Sequence, residues 1–144
     1  MKLATLKSAA VALALVSGAA PAMADFNWVF MDQYGWDNAI GGSQTGSYNE
    51  MSFYQNGWGN TTISTQDGWD NKTVVGQSGH HNYATTTQDG ACNVAGVAQF
   101  GGHNDANVEQ TGNCNAVGVI QGGHGNTSST TQYGSGNVAV IVQN

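Results

Sequence analysis

Apolar and polar residues alternate along this chain in short segments that recur with an 11-residue period. The segments are rich in Val, Ala, Thr, Ile and Tyr, as in 83–87, 94–98 and 138–142. Strict alternation of this kind is typical of β-strands, and Val, Thr, Ile and Tyr favour them. An Asn precedes each segment and a Gln follows it. Because successive side chains of a strand point to opposite faces, the Asn, the residues two and four later and the Gln should all face inward.

Three residues are fixed in the repeating unit, which reads Q-x-G-x-x-N-x-x-x-x-x and occurs ten times without a gap. The glutamines are Gln33, Gln44, Gln55, Gln66, Gln77, Gln88, Gln99, Gln110, Gln121, Gln132 and Gln143. The glycines two positions later are Gly35, Gly46, Gly57, Gly68, Gly79, Gly90, Gly101, Gly112, Gly123 and Gly134. The asparagines five positions after Gln are Asn38, Asn49, Asn60, Asn71, Asn82, Asn93, Asn104, Asn115, Asn126 and Asn137.

A physical role can be predicted for each fixed residue. The glycines supply the permissive backbone of a tight arc, and Asn tolerates turn geometry. Gln and Asn bracket a thin core and need hydrogen-bond partners there. In a stack of strands the same residue recurs about 4.8 Å above, so their amides can bond in continuous polar ladders.

Two consecutive units should therefore form one rung of strand, arc, facing strand and arc. A helix with an 11-residue period is disfavoured, because Gly and Asn would weaken every unit. We expect an all-β fold, a β-solenoid or stacked β-arch of about five 22-residue rungs that becomes cross-β on assembly. The last unit has no charge and no Pro, so the end of the stack invites another chain.

Residues 1–24 have the pattern of a secretory signal peptide, with Lys2 and Lys7 before an apolar run and an Ala-Met-Ala cleavage site. Residues 25–32 then form a short N-terminal half unit, and 33–144 the tandem repeat. Without the signal the chain has 9 acidic residues and a single base, Lys72, for a net charge of −8. Such a chain should not bind nucleic acid, and its apolar run is too short for membrane insertion.

Two cysteines and four histidines occupy arc positions. Cys92 and Cys114 are 22 apart, so they should lie one above the other at a separation that permits a disulfide. A reduced pair is the alternative.

The histidines, at 80, 81, 103 and 124, share the opposite arc. They could bind Zn²⁺ or Cu²⁺, but no short ligand spacing supports a metal site, and pH-sensitive turn residues are the better interpretation. Trp36 and Trp58 should stack on each other at one arc position.

Acidic residues concentrate in the middle units and are absent from the last unit. Charges beside apolar strands oppose edge pairing, which predicts a gatekeeper role. The candidate gatekeepers are Asp67, Asp70, Asp89, Asp105 and Glu109. The alternative is that they merely occupy solvated turns. On the gatekeeper hypothesis, 132–143 is the most amyloid-forming unit.

The repeat resembles that of the curlin family, the subunits of the curli amyloid fibres that bacteria secrete. Residues 55–60, 121–126 and 132–137 match the curlin signature Q-x-G-x-[GN]-N closely. The resemblance covers residues 27–143 and favours the major subunit, with the minor or nucleator subunit as the alternative. It implies a self-polymerising extracellular fibre, a fimbrium for adhesion and biofilm cohesion. It also implies a nucleator subunit and an outer-membrane secretion pore as partners.

No grouping of residues indicates catalysis, a metal or another cofactor. The sequence has no nucleophile elbow, zinc-protease motif or phosphate-binding loop, and a thin solenoid offers no cleft. We therefore expect no enzyme activity. A monomeric ice- or surface-binding solenoid is a further alternative, because some outward rows carry Thr, as at 61, 65, 85 and 87. Asp105, Asn107 and Glu109 interrupt those rows with charge.

Overall fold

A computed structural model describes residues 26–144, which form β-strands joined by very short links. The signal peptide predicted for residues 1–24 lies outside the described residues. Residues 26–144 include no helix with the length and apolarity needed to cross a bilayer.

Eleven strands follow one another along residues 26–144. They are β1 Trp28–Trp36, β2 Ala39–Ser47, β3 Glu50–Trp58, β4 Thr61–Trp69, β5 Lys72–His80, β6 Tyr83–Ala91, β7 Val94–Gly102, β8 Asp105–Asn113, β9 Ala116–His124, β10 Thr127–Ser135 and β11 Val138–Gln143. The odd-numbered strands form the first sheet, in the order β1-β3-β5-β7-β9-β11. The even-numbered strands form the second sheet, in the order β2-β4-β6-β8-β10. The chain thus alternates between two facing sheets, and each pair of strands makes one rung.

All neighbouring strands are parallel and in register with a 22-residue offset. Gln55 of β3, for example, pairs with Gln77 of β5, and Gly57 pairs with Gly79. Each residue of the repeat therefore stacks on the residue at the same repeat position in the next rung. Since each side chain meets the equivalent side chain of the rung above and below, one favourable choice at a position is repeated along the column.

The core lies between the sheets and is one side chain thick on each sheet. Its fully buried apolar members are Met51, Phe53, Val75, Ala84, Ala95, Val97, Ala106, Val108, Val117 and Val119. With the N-terminal end of the stack taken as its lower end, the larger Met51 and Phe53 lie in the lower rungs, whereas Ala and Val fill the rungs above. Gly42 lies opposite these large side chains, and the space above it is occupied by the Met51 sulfur.

The predicted all-β solenoid with a 22-residue rung is confirmed. The strands are longer than the alternating segments, because pairing continues past each Gln and its following Gly. Only two residues separate consecutive strands. The N-terminal half unit supplies most of β1, a complete strand, so the stack has one strand more than five rungs.

Candidate assembly site

The Gln column runs through the interior of each sheet as a chain of side-chain hydrogen bonds. Gln66 Nε2 donates to Gln88 Oε1 at 2.8 Å, and Gln88 Nε2 donates to Gln110 Oε1 at 2.9 Å. The side chains of both Gln66 and Gln88 are fully buried. The direction is the same at every step, with the lower Gln donating to the equivalent Gln of the next rung. Each column therefore has a donor end and an acceptor end.

Each Gln also ties the two sheets together. The second N–H of Gln88 donates to the backbone carbonyl of Lys72, at the start of the facing strand, at 3.1 Å. Gln77 binds the Thr61 carbonyl in the same way at 3.0 Å. A neighbouring hydroxyl adds to this network, since Thr73 Oγ1 donates to Gln88 Oε1 at 2.9 Å. In residues 26–144 no buried side-chain nitrogen or oxygen lacks a partner.

The Asn column works together with the fixed glycines. Asn71 Oδ1 accepts the backbone N–H of Asn93 at 3.0 Å, and Asn93 Nδ2 donates to the Gly112 carbonyl at 2.9 Å. That carbonyl lies directly above Gly90, where a Cβ atom would overlap it. Gly90 has φ +115°, a region that favours glycine. The Asn amide thus holds in place the carbonyl that packs on the fixed glycine of the rung below. The sequence predicts separate roles for the two residues, Gly in the arc and Asn in the ladder, and does not predict this contact.

The residue immediately before each Asn adopts a left-handed backbone conformation. It is glycine at 59, 125 and 136, but Asp, Tyr, His or Cys elsewhere, with φ between 51° and 60°. Its N–H donates to a carbonyl one rung below, as His81 does to Trp58 at 3.1 Å, so pairing continues through the arc. Sequence reasoning missed this position. The recurrence of Gly-Asn in three units was the available signal.

The links after the even-numbered strands form the cysteine arc. Cys92 and Cys114 form a disulfide there, with a Cα–Cα distance of 4.5 Å. Both occupy the left-handed position in adjacent rungs. Lower on the same arc Tyr48 stacks on Phe26, with ring centroids 5.3 Å apart, and meets the edge of Trp69 at 6.1 Å.

The links after the odd-numbered strands, with the strand ends beside them, form the histidine arc. The His80 ring lies 5.4 Å from that of His103 and 5.1 Å from that of His124. His81 stacks on His103 at 5.0 Å. His80, one rung below Gly102, and His124, one rung above it, both extend into the space that a Cβ atom of residue 102 would occupy. Partial burial, and then the charges of His124, His103 and His81, hold the pKa of His80 below its usual value.

Among residues 26–144 no three side chains of His, Cys, Asp or Glu are arranged to hold a metal ion. The predicted stack of Trp36 on Trp58 is wrong, although the two residues are in register. The Trp58 ring turns to the rung above, where it stacks on His80 at 5.4 Å and meets the edge of His81 at 4.2 Å. Gly59 leaves the space that His81 needs to approach it.

Four of the five predicted gatekeepers lie on the second sheet. Asp67 and Asp89 pair in register on β4 and β6, so two like charges stack. Asp105, the first residue of β8, and Glu109 both lie on the outer face of that strand. Asp70 lies on the cysteine arc. All these strands have neighbours on both sides. In the folded chain these carboxylates therefore charge an outer face rather than a free edge.

The outer face of the first sheet is different in its upper rungs. The outward residues of β7, β9 and β11 are uncharged, and Val140 and Val142 on β11 are 72% and 65% exposed. A shallow depression of about 280 Å³ lies over Gly96 and Gly118 and is lined by Val74, Ala98 and Ile120. Lower on the same face Lys72 and Glu50 form an ion pair at 3.0 Å.

The outer edges of four strands have no partner within residues 26–144: β1 and β2 at the N-terminal end, β10 and β11 at the C-terminal end. The inward residues of these strands are correspondingly less buried. Gln33 is exposed and Gln143 is half-buried, although Gln55 to Gln121 in the rungs between them are fully buried.

Residues 79–112 match the Curlin associated repeat family. The match runs from the fixed glycine Gly79 to the fixed glycine Gly112 and covers three 11-residue units, about a quarter of the chain. It supports a relation to the curlin family. A search of curated proteins gave no match.

Proposed function

We propose that this chain is the structural subunit of an extracellular, curli-like amyloid fibre, which grows by end-to-end stacking of solenoid rungs. The observation that carries the proposal is the pair of unpaired ends on an in-register parallel stack. Each end presents two strand edges and the open termini of both polar ladders. A second copy can pair with these edges as one rung pairs with the next, and edges left open in this way favour association.

The match to the Curlin associated repeat supports the same function. It also supports a structural role rather than an enzymatic one. Within the proposal, residues 1–24 direct export, an outer-membrane pore of the curli type releases the chain, and a nucleator subunit starts the fibre. A role as the nucleator itself is the alternative for this chain.

Ice binding receives no support from the outer faces. The Thr rows of β4 and β6 stack in register as an ice-binding face would need. The next strand, β8, sets Asp105 and Glu109 against Tyr83 and Thr87 of that row, which places charge in the middle of the surface.

Purified residues 25–144 test the proposal when they are diluted from denaturant at micromolar concentration. Thioflavin-T fluorescence should rise after a lag that preformed seeds abolish. Fibre diffraction should give one reflection at about 4.8 Å and another at about 10 Å. A β-rich monomer that stays monomeric for days would contradict the proposal.

A matched pair of variants tests whether growth uses the C-terminal end. Gln132→Glu with Gln143→Glu removes the two amide donors of that end and places charge on the stacking edge. Ser129→Glu with Val140→Glu adds the same charge to the same strands, but on their outer faces and in register with the uncharged Asn107 and Gly118. We expect the first pair to slow elongation at least tenfold, the equivalent of about 1.4 kcal/mol, and the second to slow it much less. Equal effects would argue against end-to-end growth.

A further inference from the structure

The polar ladders give the stack a direction. In the Gln columns Nε2 always points toward the C-terminal end, where Gln132 and Gln143 are the last members. At the N-terminal end Gln33 and Gln44 present Oε1 atoms that no Gln below them occupies within residues 26–144. Donors at one end therefore face acceptors at the other when two copies stack head to tail.

The Asn columns run with the opposite polarity and fit the same arrangement. Asn115 Oδ1 accepts the backbone N–H of Asn137 at 3.1 Å, so the column ends on the Oδ1 of Asn137. At the N-terminal end of the other Asn column, the N–H and Nδ2 of Asn60 donate to Asn38 Oδ1. This leaves the backbone N–H of Asn38 pointing outward. A contact between two like ends would bring donors against donors in one kind of column and acceptors against acceptors in the other.

The number of strands sets the rotation between the copies. In residues 26–144 the first sheet has six strands and the second has five, so β11 stands one strand beyond β10. If β1 of a second copy paired with β11, the edge of β10 would face a gap one strand wide. If β1 pairs instead with β10, then β2 pairs with β11 and no edge stays open. Strands of the two sheets run in opposite directions, so this arrangement requires a half-turn about the stack axis.

We propose that successive copies in the fibre are related by this half-turn, so that the first sheet of one copy continues as the second sheet of the next. This inference rests on the proposed function. The repeat fixes the register: Trp28 of the second copy lies against Thr127 and Ala39 against Val138, as equivalent residues do within the chain. Gln132 then donates to Gln33 of the second copy, and Gln143 to its Gln44.

The half-turn has a consequence for the fibre surface. The uncharged outer face of β7, β9 and β11 appears on alternate sides from copy to copy, separated each time by the acidic face of β4, β6 and β8. No continuous apolar stripe forms along either side. Like charges therefore interrupt lateral contacts between fibres at regular intervals.

Cross-linking in assembled fibres tests the junction with two variants that share one introduced cysteine and differ in the place of the second. Both carry Phe30→Cys in a background of Cys92→Ser and Cys114→Ser, because Phe30 is outward on β1. One adds Ser129→Cys on β10, which the half-turn sets against Phe30. The other adds Val140→Cys on β11, which same-sheet stacking would set there. We expect oxidation of fibres to give about tenfold more disulfide-linked multimers from the first variant.

Electron microscopy of unmodified fibres gives a second measurement that needs no substitution. The half-turn predicts an axial rise of about 26 Å per copy with a rotation near 180°, whereas same-sheet stacking predicts about 29 Å without that rotation. Fibres that show the second symmetry, or that cross-link through Val140→Cys, would overturn the half-turn but leave the proposed function intact. If unmodified chains formed no fibres, both would fail.

Discussion

Gln88 and Gln143 occupy the same position of the same repeat, yet one lies in the middle of the stack and the other at its end. Gln88 is fully buried and bonds Gln66, Gln110, Thr73 and the Lys72 carbonyl. Gln143 is half-buried and bonds Gln121 and the Thr127 carbonyl. The stabilising contribution of a repeat residue therefore comes from its neighbouring rungs, as in other repeat proteins. Because the end rungs lack a neighbour on one side, they are also the ones that can pair with another chain.

The largest contrast between the middle and the end should come from the ladder glycines. An alanine at Gly90 would have to adopt φ +115° and overlap the Gly112 carbonyl. An alanine at Gly134 would meet the backbone penalty alone, because the nearest atom to its Cβ is Asn137 Nδ2 at 3.6 Å. We expect Gly90→Ala to lower the free energy of unfolding by about 4 kcal/mol and Gly134→Ala by about 1–2 kcal/mol.

Urea unfolding of the freshly diluted monomer, followed by circular dichroism, measures both losses. Gly118→Ala is a control for the added methyl group, since nothing lies within 4 Å of that Cβ and the site needs no positive φ. Equal losses at Gly90 and Gly134 would mean that the carbonyl of the rung above does not determine how much a substitution of the fixed glycine destabilises the chain.

The next contrast concerns the Gln column itself. Gln88→Leu keeps the size of the side chain but removes the amide donor to the buried Gln110 oxygen and the acceptor of the buried Thr73 hydroxyl. It also removes one of the three hydrogen bonds that Gln66 Nε2 donates. We expect a loss of about 3 kcal/mol, because each buried unpaired group costs about 1–3 kcal/mol. Gln143→Leu removes a bond to the Thr127 carbonyl, which water can reach, and one to Gln121 Nε2, which keeps the Asp105 carbonyl as its acceptor. It should cost less than about 1 kcal/mol. The same urea titration would contradict this expectation if both variants lost the same stability.

These contrasts separate what the sequence predicts from what it does not. The 11-residue spacing of Gln, Gly and Asn is enough to predict the rung and the two facing sheets, because in-register stacking follows from identical residues at a constant interval. Alternation identifies Met51 and Phe53 as core residues for the same reason. Periodicity alone thus determines which residues share a column.

The coupling between columns is not visible in the periodicity. That the Asn93 amide holds the Gly112 carbonyl above Gly90 depends on the path of the chain through the arc. The arc also decides which way each side chain leans. Trp58 therefore contacts His80 and His81 rather than Trp36, with which it shares a column.

The same substitution should act with opposite sign in an arc and in a strand. Asp70 is exposed and left-handed at φ 55°, a conformation that costs a non-glycine residue about 1–2 kcal/mol. Asp70→Gly should raise the free energy of unfolding by about 1 kcal/mol. Asp105→Gly removes the same charge from strand β8 and should lower it by about 0.5–1 kcal/mol. A loss of stability in both variants would show that the arc conformation carries no such cost.

The smallest expected effect, a dependence on pH, should also be confined to the middle rungs. The pKa of His80 is held below its ordinary value of 6.5, first by partial burial and then by the charges of His124, His103 and His81. The unfolded chain therefore binds the proton more tightly than the folded chain. Stability is complete above pH 6.5 and falls as the pH is lowered through that value toward the folded pKa. No carboxylate within residues 26–144 lies close enough to any of these rings to form an ion pair.

Urea titrations at pH 7.5 and 5.5 measure this effect when the chain is compared with His80→Gln. The variant removes the group whose pKa is lowered, so its stability should change less between the two pH values. Hydrogen exchange, corrected for its intrinsic pH dependence, should place the loss in β5, β7 and β9, and not in β1. An equal fall in both proteins would mean that other groups produce the pH dependence. A fall spread evenly over all strands would mean that the histidine arc does not act locally, and that the middle and end rungs respond to acid as one unit.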